Sequence, residues 1–134
     1  MGSKRFQDLR VYVLAEEIAD LIWAVVITWD HFAVDTVGKQ VVRSADSIGA
    51  NIAEGCGRHS FADNRRFVLY ARGSLYETQH WLRRAYKRGL LTEALIAELK
   101  TRLDELAPKL NAYRNAIAKR IPKSDPTRPE PKAK

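Results

Sequence analysis

The stretch that most constrains the fold of this chain covers residues 40–60 and reads QVVRSADSIGANIAEGCGRHS. On a helix, at about 100° per residue, its side chains divide into an apolar ridge and a contiguous polar strip. The ridge contains Val37, Val41, Ile48 and Ile52. The polar strip contains Gln40, Arg43, Ser47, Asn51, Glu54 and Arg58. Alanine and glycine fill much of the remainder. Because a glycine costs a helix interior about 1 kcal/mol against alanine, the pattern predicts compensating close packing against neighbouring helices.

The polar strip has two interpretations. In the first, its side chains form a hydrogen-bonded seam between helices or subunits. In the second, Arg43, Asn51 and Glu54 line a ligand-binding or catalytic site. We favour the structural seam, because polar groups packed between helices need partners and these residue types can satisfy one another. We expect Glu77, from a later helix, to join the strip by pairing with an arginine such as Arg43 or Arg58.

Periodicity and capping signals predict an all-α chain with four helices, at about residues 7–29, 35–56, 61–88 and 92–120. Asp35 is the expected N-cap of the second helix. The fourth helix carries an unbroken heptad ladder of Ile96, Leu99, Leu103, Leu106, Leu110, Tyr113 and Ile117. Short connections between long amphipathic helices predict an antiparallel up-down-up-down four-helix bundle, and the heptad spacing favours left-handed packing.

The length of 134 residues predicts one domain, with the bundle at residues 1–121. Residues 122–134 read PKSDPTRPEPKAK, hold four of the five prolines, and predict a disordered tail. Pro108, inside the fourth predicted helix, should kink it or loosen one turn.

Composition predicts a soluble globular protein in the cytoplasm. The single cysteine, Cys56, excludes an internal disulfide and fits a reducing compartment. Residues 1–10 lack the apolar core of a signal peptide, and the longest apolar run, residues 21–29, is too short to span a membrane.

That apolar run, LIWAVVITW, predicts a subunit interface. A helix that is apolar on every side is normally buried on every side, whereas each helix of a lone four-helix bundle keeps one face in water. The expected interface residues are Leu21, Ile22, Trp23, Val26 and Trp29. The alternative is that the connection after Trp29 folds back and covers this surface.

Positive charge is unevenly distributed. The net charge is +7, and residues 58–88 and 109–134 each carry eight Lys or Arg against two acids. In an up-down bundle, a large cluster should gather at one end and bind nucleic-acid phosphates. It consists of Lys4, Arg5, Arg10, Arg58, Arg65, Arg66, Arg114, Lys119 and Arg120. A smaller cluster of Arg83, Arg84, Lys87 and Arg88 should occupy the other end. The alternative, of equal weight, is a basic surface that serves only solubility. Base stacking is not supported, because few aromatic residues lie among these charges.

Enzymatic and metal-binding signatures are weak. Glu77 and His80 form one Glu-x-x-His, whereas di-iron bundles need two such motifs and further carboxylates. Cys56 and His59 lie one helical turn apart, but no third orienting group is evident. We therefore expect no metal, no cofactor and no catalytic residue.

Two motifs carry a family resemblance. RSADSIGANIAEGCGRHS at residues 43–60, followed by ARGSLYET at residues 71–78, resembles small four-helix bundle proteins often encoded in intervening sequences of large-subunit ribosomal RNA genes. FQDLRVY at residues 6–12 also resembles the family's first helix, and the resemblance extends to about residue 117. One departure is that Phe32 is followed by alanine where the family usually has proline.

The resemblance implies more than the residues do. The family is similar in fold to the accessory variability determinant of diversity-generating retroelements, a barrel-like homopentamer that binds nucleic acid and a reverse transcriptase. It therefore implies a pentameric helical scaffold with no known catalysis. The leading hypothesis is a non-enzymatic oligomer, pentameric if the resemblance holds, that binds RNA or DNA through phosphates. The second is a protein scaffold or accessory subunit, for example of a reverse transcriptase. The third is an enzyme acting at the polar strip.

Overall fold

The computed structural model describes residues 5–123, and the tail predicted from residue 122 onward lies outside them except for its first two residues. A short 3-10 turn at Phe6–Asp8 leads into α1, Arg10–Val26. The second helix, α2, consists of three consecutive segments: an α turn at His31–Ala33, a π segment at Val34–Gly38 and an α segment at Lys39–Cys56. α3 covers Phe61–Lys87 and α4 covers Glu93–Ala118. The described residues contain no strand.

The four helices form the predicted antiparallel up-down-up-down bundle. Each helix packs against the next in the chain, and α1 packs against α4 to close the arrangement, with the most extensive contact between α2 and α3. The core side chains recur three and four residues apart on every helix. The largest fully buried ones include Leu14, Ile18, Ile48, Ile52, Leu75, Leu99, Leu106 and Leu110. The ladder on α4 therefore faces inward, and Pro108 lies on the exposed side of a helix that continues past it.

The second helix begins four residues earlier than predicted. Its N-cap is Asp30, whose Oδ1 accepts a hydrogen bond from the Ala33 N–H at 2.9 Å. Asp35, the expected cap, lies inside the π segment and pairs with Lys39 at 2.6 Å. The two later helices also have side-chain N-caps. The hydroxyls of Ser60 and Thr92 accept from backbone N–H groups at 3.1 and 3.2 Å and begin α3 and α4.

The first helix ends at Val26 rather than near residue 29, because residues 27–29 turn toward α2. The Trp29 indole N–H donates to the Leu90 carbonyl at 3.1 Å. This bond joins the α1–α2 connection to the α3–α4 connection. Gly38 permits α2 to lie close to the end of α1, since a Cβ added at this glycine would lie 2.8 Å from Cγ1 of Val26.

Candidate nucleic-acid interface

The end of the bundle where α2 stops, α3 starts and α4 stops is called here the α2–α3 end. The Arg120 guanidinium lies over the Phe61 ring, with 5.7 Å between Cζ and the ring centroid. The Cys56 Sγ lies 3.4 Å from the Tyr113 hydroxyl oxygen. These two contacts bring the last turn of α2, the first turn of α3 and the last turns of α4 together.

Six of the nine predicted phosphate-binding cations belong to the elements that meet at this end. They are Arg58, Arg65, Arg66, Arg114, Lys119 and Arg120. Lys4 lies outside the described residues. Arg5 precedes α1 and pairs with Asp8 at 3.5 Å.

Arg10 does not belong to the cluster. Its guanidinium donates two hydrogen bonds to the Glu105 carboxylate, at 2.7 and 2.8 Å. Glu105 lies halfway along α4, about 20 Å from the end of that helix at 1.5 Å per residue. The first helix, at 17 residues, is the shortest of the four, and its start does not reach the end of α4. The sequence argument placed the start of α1 beside the end of α4 because it assumed helices of equal extent.

Acidic neighbours neutralise two more of the predicted cations. Arg58 pairs with Glu54 at 3.3 Å and with Asp63 at 3.7 Å, and Arg66 pairs with Asp63 at 3.2 Å. Both guanidinium groups also lie against the ring of Phe67, with Cζ 4.9 and 5.5 Å from its centroid. These arginines are thus held against their own subunit, although exposed pairs of this kind stabilise it by less than about 1 kcal/mol each.

The remaining four cations have no acidic partner within residues 5–123, and they are called the first cation set. The set is Arg65, Arg114, Lys119 and Arg120. Arg65 lies one turn beyond Phe61 on the same side of α3, next to the site where Arg120 stacks. The charge available to a phosphate at this end is therefore smaller than the sequence indicated.

The opposite end of the bundle carries the second cation set. It comprises Arg83, Arg84, Lys87 and Arg88, all within the last two turns of α3 or directly after it. Within the described part of the chain, none of these four side chains forms an ion pair. The smaller cluster of the sequence analysis thus keeps as many uncompensated cations as the larger one.

The predicted polar strip on α2 does not form a seam between helices. Gln40, Arg43 and Glu54 are exposed, while Ser47 and Asn51 are half-buried. Most of the strip's contacts run along its own helix: the Asn51 amide donates to the Ser47 carbonyl at 2.8 Å, and Glu54 pairs with Arg58. The exception is Arg58 at the end of the strip, which also contacts Asp63 and Phe67 on α3. On a helix, residues four apart are close neighbours, so these groups satisfy one another locally.

The predicted partner of Glu77 is also wrong. Its carboxylate accepts a hydrogen bond from the Trp81 indole N–H at 3.0 Å, rather than pairing with Arg43 or Arg58. A buried polar contact joins α2 to α3. The Thr78 hydroxyl lies 3.0 Å from the Ser44 hydroxyl, between α3 and α2. Ser44 falls three residues after Val41 and four before Ile48, so its position on the apolar ridge could have identified it.

Burial at the α2–α3 end raises the pKa of the Tyr113 hydroxyl well above its ordinary value, and the hydrogen bond to Cys56 adds to this effect. The phenol is therefore a neutral hydrogen-bonding group at physiological pH. Cys56 contacts this phenol and is exposed. Neither observation supplies the imidazole base that nucleophilic catalysis by this thiol would use.

Two of the expected interface residues are in the core of the subunit. Ile22 and Val26 are 1% and 4% exposed, because they continue the inward face of Ala15 and Ile18. Trp29 is half-buried beneath its hydrogen bond to Leu90, and Leu21 is half-buried. Trp23 is 56% exposed, as an interface residue requires. Ile27 and Phe32, which the sequence analysis did not select, are 65% and 78% exposed.

Two other classes of site have no support in the described residues. Residues 5–123 hold no group of three or more His, Cys, Asp or Glu side chains placed to bind a metal ion. Over the same range, no helix combines the length and the hydropathy needed to cross a membrane.

The fold and its charged ends define a small antiparallel four-helix bundle protein with cations at both ends. The family model described as 23S rRNA-intervening sequence protein matches residues 7–112, and the chain belongs to this family. It is also similar to the crystal structure of a protein of unknown function from the S23 ribosomal protein family of Bacteroides thetaiotaomicron. The two are 26% identical with a TM-score of 0.68, over 78% of this chain and 97% of that chain. A search of curated proteins found no match.

Proposed function

We propose that this protein is a non-enzymatic, oligomeric helical bundle that binds RNA or DNA through backbone phosphates. The observation that carries the proposal is the pair of cation sets at the two ends of the bundle, whose eight members have no acidic partner within residues 5–123. Cations already paired with a carboxylate gain little from a phosphate. These eight gain the full interaction.

Binding of this kind has a defined physical signature. Each phosphate neutralised by Lys or Arg releases condensed counterions, so the logarithm of the affinity falls with the logarithm of the salt concentration, by about 0.9 per contact on duplex DNA and about 0.7 on single strands. Contacts to phosphates carry little sequence information. An oligomer would present each cation set several times, and repeated weak contacts to one polyanion strengthen binding by raising the effective concentration.

A salt titration with labelled duplex and single-stranded RNA tests the proposal. We expect binding at low salt that weakens steeply as salt is added. Neutralising Arg114→Gln/Lys119→Gln/Arg120→Gln in the first set, or the second set in Arg83→Gln/Arg84→Gln/Lys87→Gln/Arg88→Gln, should lower both affinity and slope. Absence of micromolar binding at low salt would refute the proposal.

The matched control removes cations that are already neutralised. Lys39 pairs with Asp35 at 2.6 Å and Lys100 pairs with Asp104 at 2.8 Å, both on exposed helix surfaces. The Lys39→Gln/Lys100→Gln variant should change affinity less per charge removed than either set. An equal loss per charge would mean that only net charge matters, and that the two ends are not sites.

A second candidate function is a protein scaffold or accessory subunit that contacts a protein partner directly. The exposed side chains of Trp23, Ile27 and Phe32 favour it, because large apolar groups at one end of α1 and the start of α2 are costly to leave in water. Co-purification after nuclease treatment separates the two functions. A protein partner that remains bound without nucleic acid supports the scaffold, and one that is lost supports RNA or DNA binding.

A further inference from the structure

Two outer faces of the subunit carry exposed apolar side chains together with opposite charge. The α1–α2 face is defined by Glu16, Asp20, Trp23 and Ile27 on α1, with Asp46 and Val42 on α2. The α3 face is defined by Arg65, Leu69, Arg72, Gly73 and Tyr76. Neither face belongs to the interior of the bundle, and both are exposed on the surface of the subunit.

The α1–α2 face contains an apolar cavity of about 280 Å³, with Trp23 and Ile27 on one side and Val34 and Val42 on the other, and Lys39 and Arg43 also line it. Next to it, a groove of about 360 Å³ is lined by alanines, and Glu16, Asp20 and Asp46 border it. Within residues 5–123, none of these three carboxylates pairs with a lysine or arginine. Burial raises the pKa of Asp46, and the nearby charge of Asp20 adds to this effect.

The α3 face combines aromatic and apolar groups with arginines. Leu69 is 41% and Tyr76 is 53% exposed, and the Arg72 guanidinium donates to the Tyr76 hydroxyl at 3.2 Å and stacks on its ring. Arg65 and Arg72 have no carboxylate partner in the described part of the chain. The face is therefore positive where the other is negative.

Gly73 points to a close neighbour on the α3 face. It lies in the middle of a 27-residue helix, where glycine is an unfavourable residue, and a Cβ added there would meet nothing within 4 Å. Packing inside the subunit therefore does not account for this glycine. A surface that approaches α3 closely from outside would.

The two faces also match in geometry. Arg65, Leu69, Arg72 and Tyr76 are spaced by four, three and four residues, and so are Glu16, Asp20, Trp23 and Ile27. Each stripe is thus about 16 Å long on a helix, and side chains at this spacing line one side of it. Two such stripes can pack along each other as neighbouring helices do.

Charge then decides which faces meet. Pairing two copies of the α3 face would oppose arginines, and pairing two copies of the α1–α2 face would oppose carboxylates. A contact between unlike faces brings the arginines of one stripe to the carboxylates of the other. Contacts between unlike faces are heterologous, and they generate a closed ring when the rotation between subunits permits.

We infer that the α3 face of one copy of this chain packs against the α1–α2 face of a second copy, with Arg65 and Arg72 facing the carboxylates and the apolar side chains covering Trp23 and Ile27. This inference rests on the oligomer in the proposed function and specifies which surfaces build it. Nucleic acid is not part of the contact. The mass of nuclease-treated protein therefore tests it separately from phosphate binding.

Charge reversal provides the test, read by sedimentation velocity. Arg65→Glu/Arg72→Glu and Glu16→Lys/Asp20→Lys should each give smaller species than the unmodified protein. The variant carrying all four changes should regain the original mass, because the charges are again complementary. Lys100→Glu/Lys109→Glu on α4 should leave the mass unchanged. A monomeric unmodified protein, or full mass in either two-site variant, or no recovery in the four-site variant, would overturn the inference.

Photochemical cross-linking gives a second readout that does not depend on destabilising the contact. With a benzophenone side chain in place of Tyr76, we expect cross-links between chains to peptides from residues 16–27 or 34–46. Cross-links to α3 or α4 of the second copy would overturn the pairing. If the pairing is correct and RNA binding is absent in the salt titration, the proposed function fails while this inference stands.

Discussion

At the scale of single residues, the contact between α2 and α3 depends on the absence of a side chain at Gly55. A Cβ at this position would lie 2.5 Å from Oδ1 and 3.1 Å from the backbone oxygen of Asn64. The Asn64 Oδ1 atom is the end of a side chain and could turn aside, but the backbone oxygen of Asn64 and the Cβ of Phe67, each 3.1 Å from the added Cβ, are fixed to the helix. The last turn of α2 can therefore approach α3 only with glycine at this position.

Gly55→Ala should destabilise the protein by roughly 1–3 kcal/mol, the usual cost of forcing atoms into a packed contact. Gly57→Ala is the matched control, because its nearest neighbour would be 3.5 Å away and its φ of −86° suits any residue. We expect the control to change stability by less than about 1 kcal/mol. Urea unfolding of both variants measures the difference, and equal midpoints would contradict the steric argument.

At the scale of elements, spacing predicted the inward faces of the helices more accurately than it predicted their ends. Val41, Ile48 and Ile52 face the core as the apolar ridge requires, since burial on a helix follows from periodicity alone. The start of α2 was predicted at Asp35, but Asp30 is an equally good N-cap residue type and is the one that caps the helix. The π segment that joins the short first turn to the rest of the helix has no simple sequence signature.

The cap of α2 can be tested by removing each aspartate in turn. Asp30→Ala should cost about 1 kcal/mol of stability, because it removes the acceptor for the Ala33 N–H. Asp35→Ala removes only an exposed contact to Lys39 and should cost less than about 0.5 kcal/mol. Thermal or urea unfolding measures both, and a larger loss for Asp35→Ala would mean that the helix begins where the sequence analysis placed it.

The contact between α1 and α4 should give the protein a specific dependence on pH. The hydrogen bond from Arg10 holds the pKa of Glu105 below its ordinary value. A lowered pKa in the folded state means that the stabilisation is complete above the pKa of the unfolded chain and is lost as pH falls through the folded value. Glu105→Gln should therefore lower the melting temperature at neutral pH and have little effect near pH 3.

Glu98→Gln is the control for that measurement, because Glu98 lies two turns earlier on α4, is exposed, and forms no ion pair within residues 5–123. It should lower the melting temperature less at neutral pH. Its difference in melting temperature from the unmodified protein should not shrink at low pH, as that of Glu105→Gln does. A Glu105→Gln variant whose difference from the unmodified protein grows as pH falls would reverse the sign of the argument.

At the scale of the whole molecule, the candidate sites were harder to predict than the fold. The two basic ends could be predicted from an up-down arrangement of charged segments. The sequence did not show that Arg10 pairs with Glu105, halfway along α4, because this contact depends on the relative lengths and rotations of the helices. Likewise, LIWAVVITW indicated an exposed apolar surface, but its division between core Ile22 and exposed Trp23 follows from the position of α2.

An assembly built from unlike faces makes a prediction about mixtures. In the Arg65→Glu/Arg72→Glu subunits both the α3 face and the α1–α2 face are negative. In the Glu16→Lys/Asp20→Lys subunits the α1–α2 face is no longer negative. Neither kind of subunit should therefore associate with itself. Mixed together, the α3 face of each kind meets a complementary face on the other kind. Subunits must then alternate around a ring, and a ring that alternates closes only with an even number of subunits.

Native mass spectrometry of the nuclease-treated mixture measures this composition directly. We expect equal numbers of the two variants in every closed species. The family resemblance implies five subunits, which is an odd number. If the unmodified protein forms a ring of that size, the mixture must form a ring of a different size or remain open. Species with a random ratio of the two variants would show that these faces do not meet, because only complementary contact enforces alternation.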